Sequence, residues 1–288
     1  METAELLKRV RRIEIKTRGL SQHIFAGEYH SAFKGRGMAF SEVREYQYGD
    51  DIRSIDWNVT ARFNHPYVKI FEEERELTVM LLIDVSGSRD FGTNKTSKKN
   101  LITEVAAVLA FSAIQNNDKI GVIMFSSKIE KFIPPKKGRQ HILRIIRELI
   151  DFVPGERGTN LAEGLRYFTN VIKKRSTAFL ISDYMDKNYE DALKIASKKH
   201  DLIALKITDI RESELPPVGL IHMKDAETGK SIWIDSSNKK VRKVYKEEWI
   251  SRMNYIREIC IRYGIDTAEL TTGNDYIKPL MTLFKKRA

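Results

Sequence analysis

Cysteine is nearly absent from this 288-residue chain. Cys260 stands alone, which excludes an internal disulfide and any metal cage built from thiolates. Long hydrophobic runs are missing too. The longest apolar stretch, LTVMLLI at 77–83, has the length of one buried strand, well short of the ~20 residues that cross a bilayer. The opening METAELLKRVRRIEIKTRGL has no apolar centre and no small-residue cleavage site, so it does not read as a secretory signal. The expected compartment is a reducing cytoplasm. Lys95-Thr96-Ser97-Lys98 lacks the glycine frame of a phosphate loop, and Gly35-Arg36-Gly37 is too short for a dinucleotide fingerprint. The histidines, His23, His30, His65, His141, His200 and His222, show no metal-pair spacing.

What the chain does have is enough apolar residue for a real core, 42%, and an excess of base over acid, 50 against 39, for a net charge of +11. Such a field attracts anionic partners without specifying a fold. The basic residues are scattered in short groups at 8–12, 136–139, 173–175, 239–243 and 285–287, beside apolar periodic stretches. They read as solvated helix ends and loops, so nucleic acid is not the expected partner.

Residues 1–18 have the stripe of a basic amphipathic helix, with Leu6, Leu7, Val10 and Ile13 on one face. Residues 27–76 are rich in Gly, Asp, Arg and aromatics and lack a sustained helical period. They read as an irregular or short-stranded segment ending in the strand-like YVKIF, with Trp57 as a core anchor. From 77 on, strand-like and helix-like stretches alternate. Strands are expected at 77–83, 119–125, 129–135, 176–182, 201–207 and 264–270. Helices are expected at 99–116, 141–153, 160–173, 188–199, 241–263 and 275–284. This alternation predicts an α/β fold, a doubly wound, mostly parallel sheet with helices on both faces. A hairpin turning at Glu227-Thr228-Gly229 is expected as an insertion at about 216–240. The division expected is 1–76, a helix and irregular segment packed on the main domain, and 77–288, the main domain. Cys260 falls on the apolar face of the long helix as a small core residue.

In an open parallel sheet, ligands bind outside the carboxyl ends of the strands. After 77–83 comes Asp84-Val85-Ser86-Gly87-Ser88, and after 176–182 comes Asp183. Ahead of the helix at 160–173 lies Arg157-Gly158-Thr159-Asn160. Three such turns at one sheet edge present two carboxylates and three hydroxyls, a hard all-oxygen set suited to Mg²⁺ or Mn²⁺ rather than zinc. In an extended turn alternate side chains share a face, so Asp84, Ser86 and Ser88 can face one ion while Gly87 lets the backbone bend. An ion held mainly by hydroxyls and water stays electron-poor and can accept a carboxylate from another molecule.

Asp84, Ser86 and Ser88, with Thr159 and Asp183, resemble the metal-ion-dependent adhesion site of the von Willebrand factor type A fold. The segment at 35–75, with Gly49-Asp50-Asp51, Ile55-Asp56-Trp57 and Ala61-Arg62 in order, resembles the signature of domain-of-unknown-function 58 proteins. That resemblance, covering residues from about 27 to 271, implies a von Willebrand A-like fold, a partner among MoxR-type AAA+ ATPases, and an adaptor or chaperone-like role rather than catalysis. The expected arrangement has Asp84, Ser86, Ser88 and Thr159 holding the ion directly or through water, and Asp183 accepting from a coordinated water. A partner protein's Asp or Glu completes the shell.

Two further questions stay open in the sequence. Arg44, Asp50, Asp51, Arg53, Asp56 and Arg62, with Glu42, alternate in sign. They form either a docking face or an internal ion-pair lattice, and the lattice is the simpler reading because irregular backbone needs side-chain partners. The competing function is a Mg²⁺-dependent phosphohydrolase of haloacid-dehalogenase type with Asp84 as nucleophile. It needs an acid two residues on, where this chain has Ser86.

Overall fold

The computed structural model describes residues 11, 13, 14, 17, 39–72, 77–92, 97–224, 229 and 231–287. They fall into two compact units, one within Lys34–Leu77, the other formed by Thr78–Ala288 together with Met1–Phe33. Of the helix expected at 1–18, Arg11, Ile13, Glu14 and Thr17 are helical, and the rest lies outside the described residues.

In the smaller unit, strand β1 (Ala39–Glu45) pairs antiparallel with β2 (Tyr67–Glu72), and helix α1 (Trp57–Phe63) lies between them in sequence. The acidic residues hold this backbone together. Asp51 accepts from Arg53 N at 2.9 Å and caps a 3-10 turn at Ile52–Ser54. Asp56 caps α1 by accepting from Asn58 N and Val59 N, and pairs with Lys69 at 3.5 Å. The Arg44 guanidinium forks onto Asp50 at 2.7 and 2.9 Å and holds its carboxyl below the usual range. Arg44, Asp50, Asp51 and Asp56 therefore act as caps and a fork inside the unit, while Arg53 and Arg62 are exposed. Trp57 is not a core anchor. It is the first residue of α1 and 67% exposed, because the Asp56 cap, not apolar packing, starts that helix.

The larger unit carries a six-stranded sheet in the order β10-β7-β6-β3-β4-β5. Its elements in chain order begin with β3 (Thr78–Asp84), α2 (Lys98–Gln115), β4 (Lys119–Phe125), β5 (Ile129–Lys136) and α3 (Arg139–Asp151). Then come α4 (Leu161–Val171), β6 (Thr177–Ser182), α5 (Glu190–Lys199), β7 (Asp201–Thr208) and the short α6 (Ile210–Ser213). The hairpin β8 (Leu220–Lys224) and β9 (Ser231–Asp235) precedes α7 (Lys239–Arg262), β10 (Asp266–Thr271) and α8 (Ile277–Arg287). All sheet neighbours run parallel except β5, an antiparallel edge strand that tolerates Pro134 and Pro135 there. The fold is the doubly wound α/β class expected, with helices on both faces.

Period-two alternation divides the core. Met80, Leu82, Ile123, Phe125, Ala178, Leu180, Leu202 and Ala204 meet α4, α5 and the second half of α7, including Cys260. Leu81, Ile83, Phe179 and Ile181 point the other way, the side on which α2, buried nearly all round, and α3 pack together. At 25 cal/mol per Å², each such side chain contributes about 1.5–3 kcal/mol. Gly164 lets α4 approach the sheet, since a Cβ there would lie 2.9 Å from the Phe125 ring. The hairpin joins β8 and β9 in register from Leu220–Asp235 to Lys224–Ser231, and Glu227 and Thr228 of its expected turn lie outside the described residues.

Candidate metal centre

β3 is the middle strand at which the chain changes direction, with β4 on one side and β6 on the other. The crevice at its carboxyl end is the switch point where a doubly wound sheet accepts ligands. Asp84 closes β3 there and is 3% exposed. Its Oδ1 accepts from Ser86 N at 3.0 Å, and its Oδ2 accepts from Ser182 Oγ, at the end of β6, at 2.7 Å. The Ser86 and Ser88 hydroxyls lie 3.1 Å apart. The first two loops are thus bound to each other through the strands' own last residues.

The third loop arrives by backbone contacts. Gly87 N donates to Arg157 C=O at 2.9 Å, and Asn160 N donates to Ser126 C=O at 2.9 Å. Glu130 braces the same loop by accepting from Ser126 Oγ and from Glu156 N. Asn160 then caps α4 through Glu163 N, and Asp186 accepts from Leu161 N at 2.8 Å, tying the loop after β6 to that helix start. Thr159 is half-buried in this loop, two residues from the Arg157 contact. Tyr184 holds a left-handed backbone (φ 58°), costly for a residue with a Cβ, and is pinned by its hydroxyl on Leu180 C=O at 2.9 Å.

Asp183, 6% exposed, accepts from Met185 N through Oδ1 and from Lys98 Nζ through Oδ2 at 3.0 Å. Lys98 opens α2 beside its Ser97 cap, is 1% exposed, and also binds Glu212 of α6. Burial alone would lower the Lys98 ammonium's pKa, but the two carboxylates outweigh it and raise it. Burial, with the charge of Asp183 adding to it, pushes the Glu212 carboxyl up against the opposing pull of Lys98. Burial and the charge of Asp183 push the Asp84 carboxyl up to about 7. Among the described residues no three His, Cys, Asp or Glu side chains are grouped as a chelate, so any ion here would depend on the hydroxyls.

Lys98 and Glu212 were not candidates in the sequence. In the sequence, residues 95–98 read only as a failed phosphate loop. The signal for Glu212 was Asp209-x-x-Glu212, a capping box that the structure makes at α6.

The site sits inside a stretch that matches the family described as protein of unknown function DUF58, over residues 42–254. The chain belongs to the DUF58 family. Its relatives include the uncharacterized protein Rv1480 of Mycobacterium tuberculosis, 31% identical over 233 residues, covering 80% of this chain and 73% of that protein. YeaD of Bacillus subtilis, also uncharacterized, is 28% identical over 109 residues, 38% of this chain and 25% of that protein. Among solved structures, the conserved hypothetical protein BatB from Bacteroides thetaiotaomicron superposes with a TM-score of 0.50 at 16% identity, over 73% of this chain and 98% of that one. The SpRpn10 VWA domain gives a TM-score of 0.37 at 9% identity, over 74% and 94%. BatB shows that the DUF58 chain shares a fold with it and says nothing of the site's chemistry. Among the described residues no helix is long and apolar enough to cross a membrane.

Proposed function

We propose that this DUF58 chain is a non-enzymatic protein-binding module that depends on a divalent metal, and that it serves as an adaptor or chaperone-like partner of a MoxR-type AAA+ ATPase. The observation that carries the reading is Asp84. It is a buried carboxylate at the switch point of the sheet, facing a second acid and two adjacent hydroxyls, with its own hydrogen bonds going to Ser86 N and Ser182 Oγ. Its pKa is raised because burial and the neighbouring Asp183 charge disfavour its ionised form.

The donor chemistry supports Mg²⁺ or Mn²⁺. Adjacent corners of an octahedron with metal–oxygen bonds of about 2.1 Å are about 3.0 Å apart, close to the observed Ser86–Ser88 spacing. Asp84, Ser86, Ser88 and Thr159 would hold the ion, with Asp183 behind them. Bound there, the ion supplies a Lewis-acidic corner for a partner's Asp or Glu. Ser182 orients Asp84, and the Gly87–Arg157 contact holds the Thr159 loop against the two serines. The Lys98 ammonium donates to Asp183 and pairs with Glu212. The unit within Lys34–Leu77 supplies a second contact surface, supported by the exposure of Tyr48, Trp57 and Phe63. The MoxR-type partner rests on the family resemblance.

A phosphohydrolase would use Asp84 as nucleophile and place a lysine on it. The buried lysine here binds Asp183 and Glu212, and Ser86 stands where the general acid belongs. The test is binding of a purified MoxR-type ATPase by biolayer interferometry in Mg²⁺ and in EDTA. The module reading expects binding in Mg²⁺ that EDTA and Asp84→Ala each abolish. Equal binding in EDTA, or p-nitrophenyl phosphate turnover lost in Asp84→Ala, would reject it.

A further inference from the structure

The buried lysine gives the centre a feature that the adhesion-site residues do not account for. Lys98 comes from the first turn of α2, Asp183 from the loop after β6, and Glu212 from α6 after β7. Three elements thus bring one cation and two anions together, with Lys98 1% and Asp183 6% exposed and Glu212 partly buried. An ion pair in such a place gains little net stability over apolar packing. What it does change is local charge.

We propose that Lys98 is a positioning residue, a tethered cation shared between Asp183 and Glu212 that sets the charge of the adjacent ion site. This rests on the ion-site reading above. Asp183 has two oxygens, and each is engaged: Oδ1 by Met185 N and Oδ2 by the ammonium. The carboxylate is therefore partly discharged and turned toward α2, and Asp84 is the acid left to offset an ion. A dication bound beside Asp84 keeps a residual positive charge, the condition under which a carboxylate from another protein becomes a favourable ligand. Glu212 acts in the opposite sense. By drawing on the same ammonium it limits how far Lys98 neutralises Asp183. The capping box at Asp209 and Glu212 fixes that carboxylate in place, since Glu212 Oε2 accepts from Asp209 N at 3.0 Å.

The two partners then have opposite effects, which a purely structural ion triad would not show. Lys98→Met frees the Asp183 charge and should tighten Mn²⁺ binding on the order of tenfold, since a unit charge a few ångströms from a dication is worth at least that. Glu212→Gln leaves the ammonium to Asp183 alone and should weaken Mn²⁺ binding several-fold. Lys98→Arg keeps the charge and should leave affinity within about twofold of wild type. Because Lys98→Met strands two buried acids and destabilises the metal-free fold, the double variant Lys98→Met/Glu212→Gln is measured beside it. It leaves Asp183 as the one stranded acid and should still bind more tightly than wild type. The experiment is calorimetric titration of the full chain with MnCl₂ alone. If wild type binds and both single variants weaken binding, or neither changes it, Lys98 has no such role and the ion site stands. If wild type takes up no Mn²⁺, the ion-site reading fails and the role falls with it.

Discussion

Ser182 Oγ donates to Asp84 Oδ2 at 2.7 Å, joining the last residues of two neighbouring parallel strands whose positions in the chain are 98 apart. The same hydroxyl accepts from Tyr184 N at 3.0 Å, so one serine orients the site's central acid and satisfies the strained turn that follows. Ser182→Ala should therefore cost about 2–3 kcal/mol, through one buried oxygen and one buried N–H left unpaired. Urea denaturation in EDTA measures this, and a loss under 0.5 kcal/mol would show that the contact is not holding the site.

His200, at the end of α5, is 1% exposed. Its ring packs tilted against Phe168, centroids 4.3 Å apart, and meets Ser176 Oγ through Nδ1 at 3.1 Å. Burial, with Lys199 and Arg175 adding positive charge, lowers its pKa from the usual 6.5 to about 4. Between those values the unfolded chain binds a proton that the folded chain refuses, so this group makes stability fall as pH drops from about 6.5 toward 4. The slope is at most about 1.4 kcal/mol per pH unit, and it is absent above pH 7. Urea midpoints at pH 7.5, 6 and 5 for wild type and His200→Asn check it. A wild-type slope equal to the variant's would contradict the assignment.

Trp57 is exposed on the first residue of a helix that its neighbour Asp56 starts. Trp57→Ala should leave the melting temperature within about 1 °C, as a surface change does. It should weaken the MoxR-type ATPase complex at least fivefold by biolayer interferometry if the smaller unit is a contact surface. A melting shift of several degrees with unchanged binding would assign the residue to the fold instead.

The sheet was legible because parallel strands buried on both faces are written as unbroken apolar runs. TVMLLI, IGVIMF and TAFLI were placed within a residue or two. In the small unit the strand-like YVKIF was legible and is β2, but α1 and β1 were not, because they carry polar and charged residues and are fixed by caps and a hairpin-like pairing instead of a periodic apolar stripe. Trp57 was misread for the same reason: bulk alone does not bury a side chain. That the loops carrying Asp84, Ser86, Ser88 and Asp183 share one sheet edge was legible from their places after strands, since strand order dictates which loops meet. Lys98 was not. Its role depends on two acids 85 and 114 residues further along the chain, a relation that appears only when α2, β6 and β7 are packed.

The most direct measurement is the melting temperature of the full chain in EDTA and in 5 mM Mg²⁺ or Mn²⁺, for wild type and Asp84→Asn. The account predicts a metal-induced rise of several degrees in wild type, from binding to the folded state alone. It also predicts that Asp84→Asn melts in EDTA at or above the wild-type temperature, since it removes a buried charge that Asp183 repels, and gains nothing from metal. A wild type indifferent to both ions, or a variant that responds as wild type does, would contradict it.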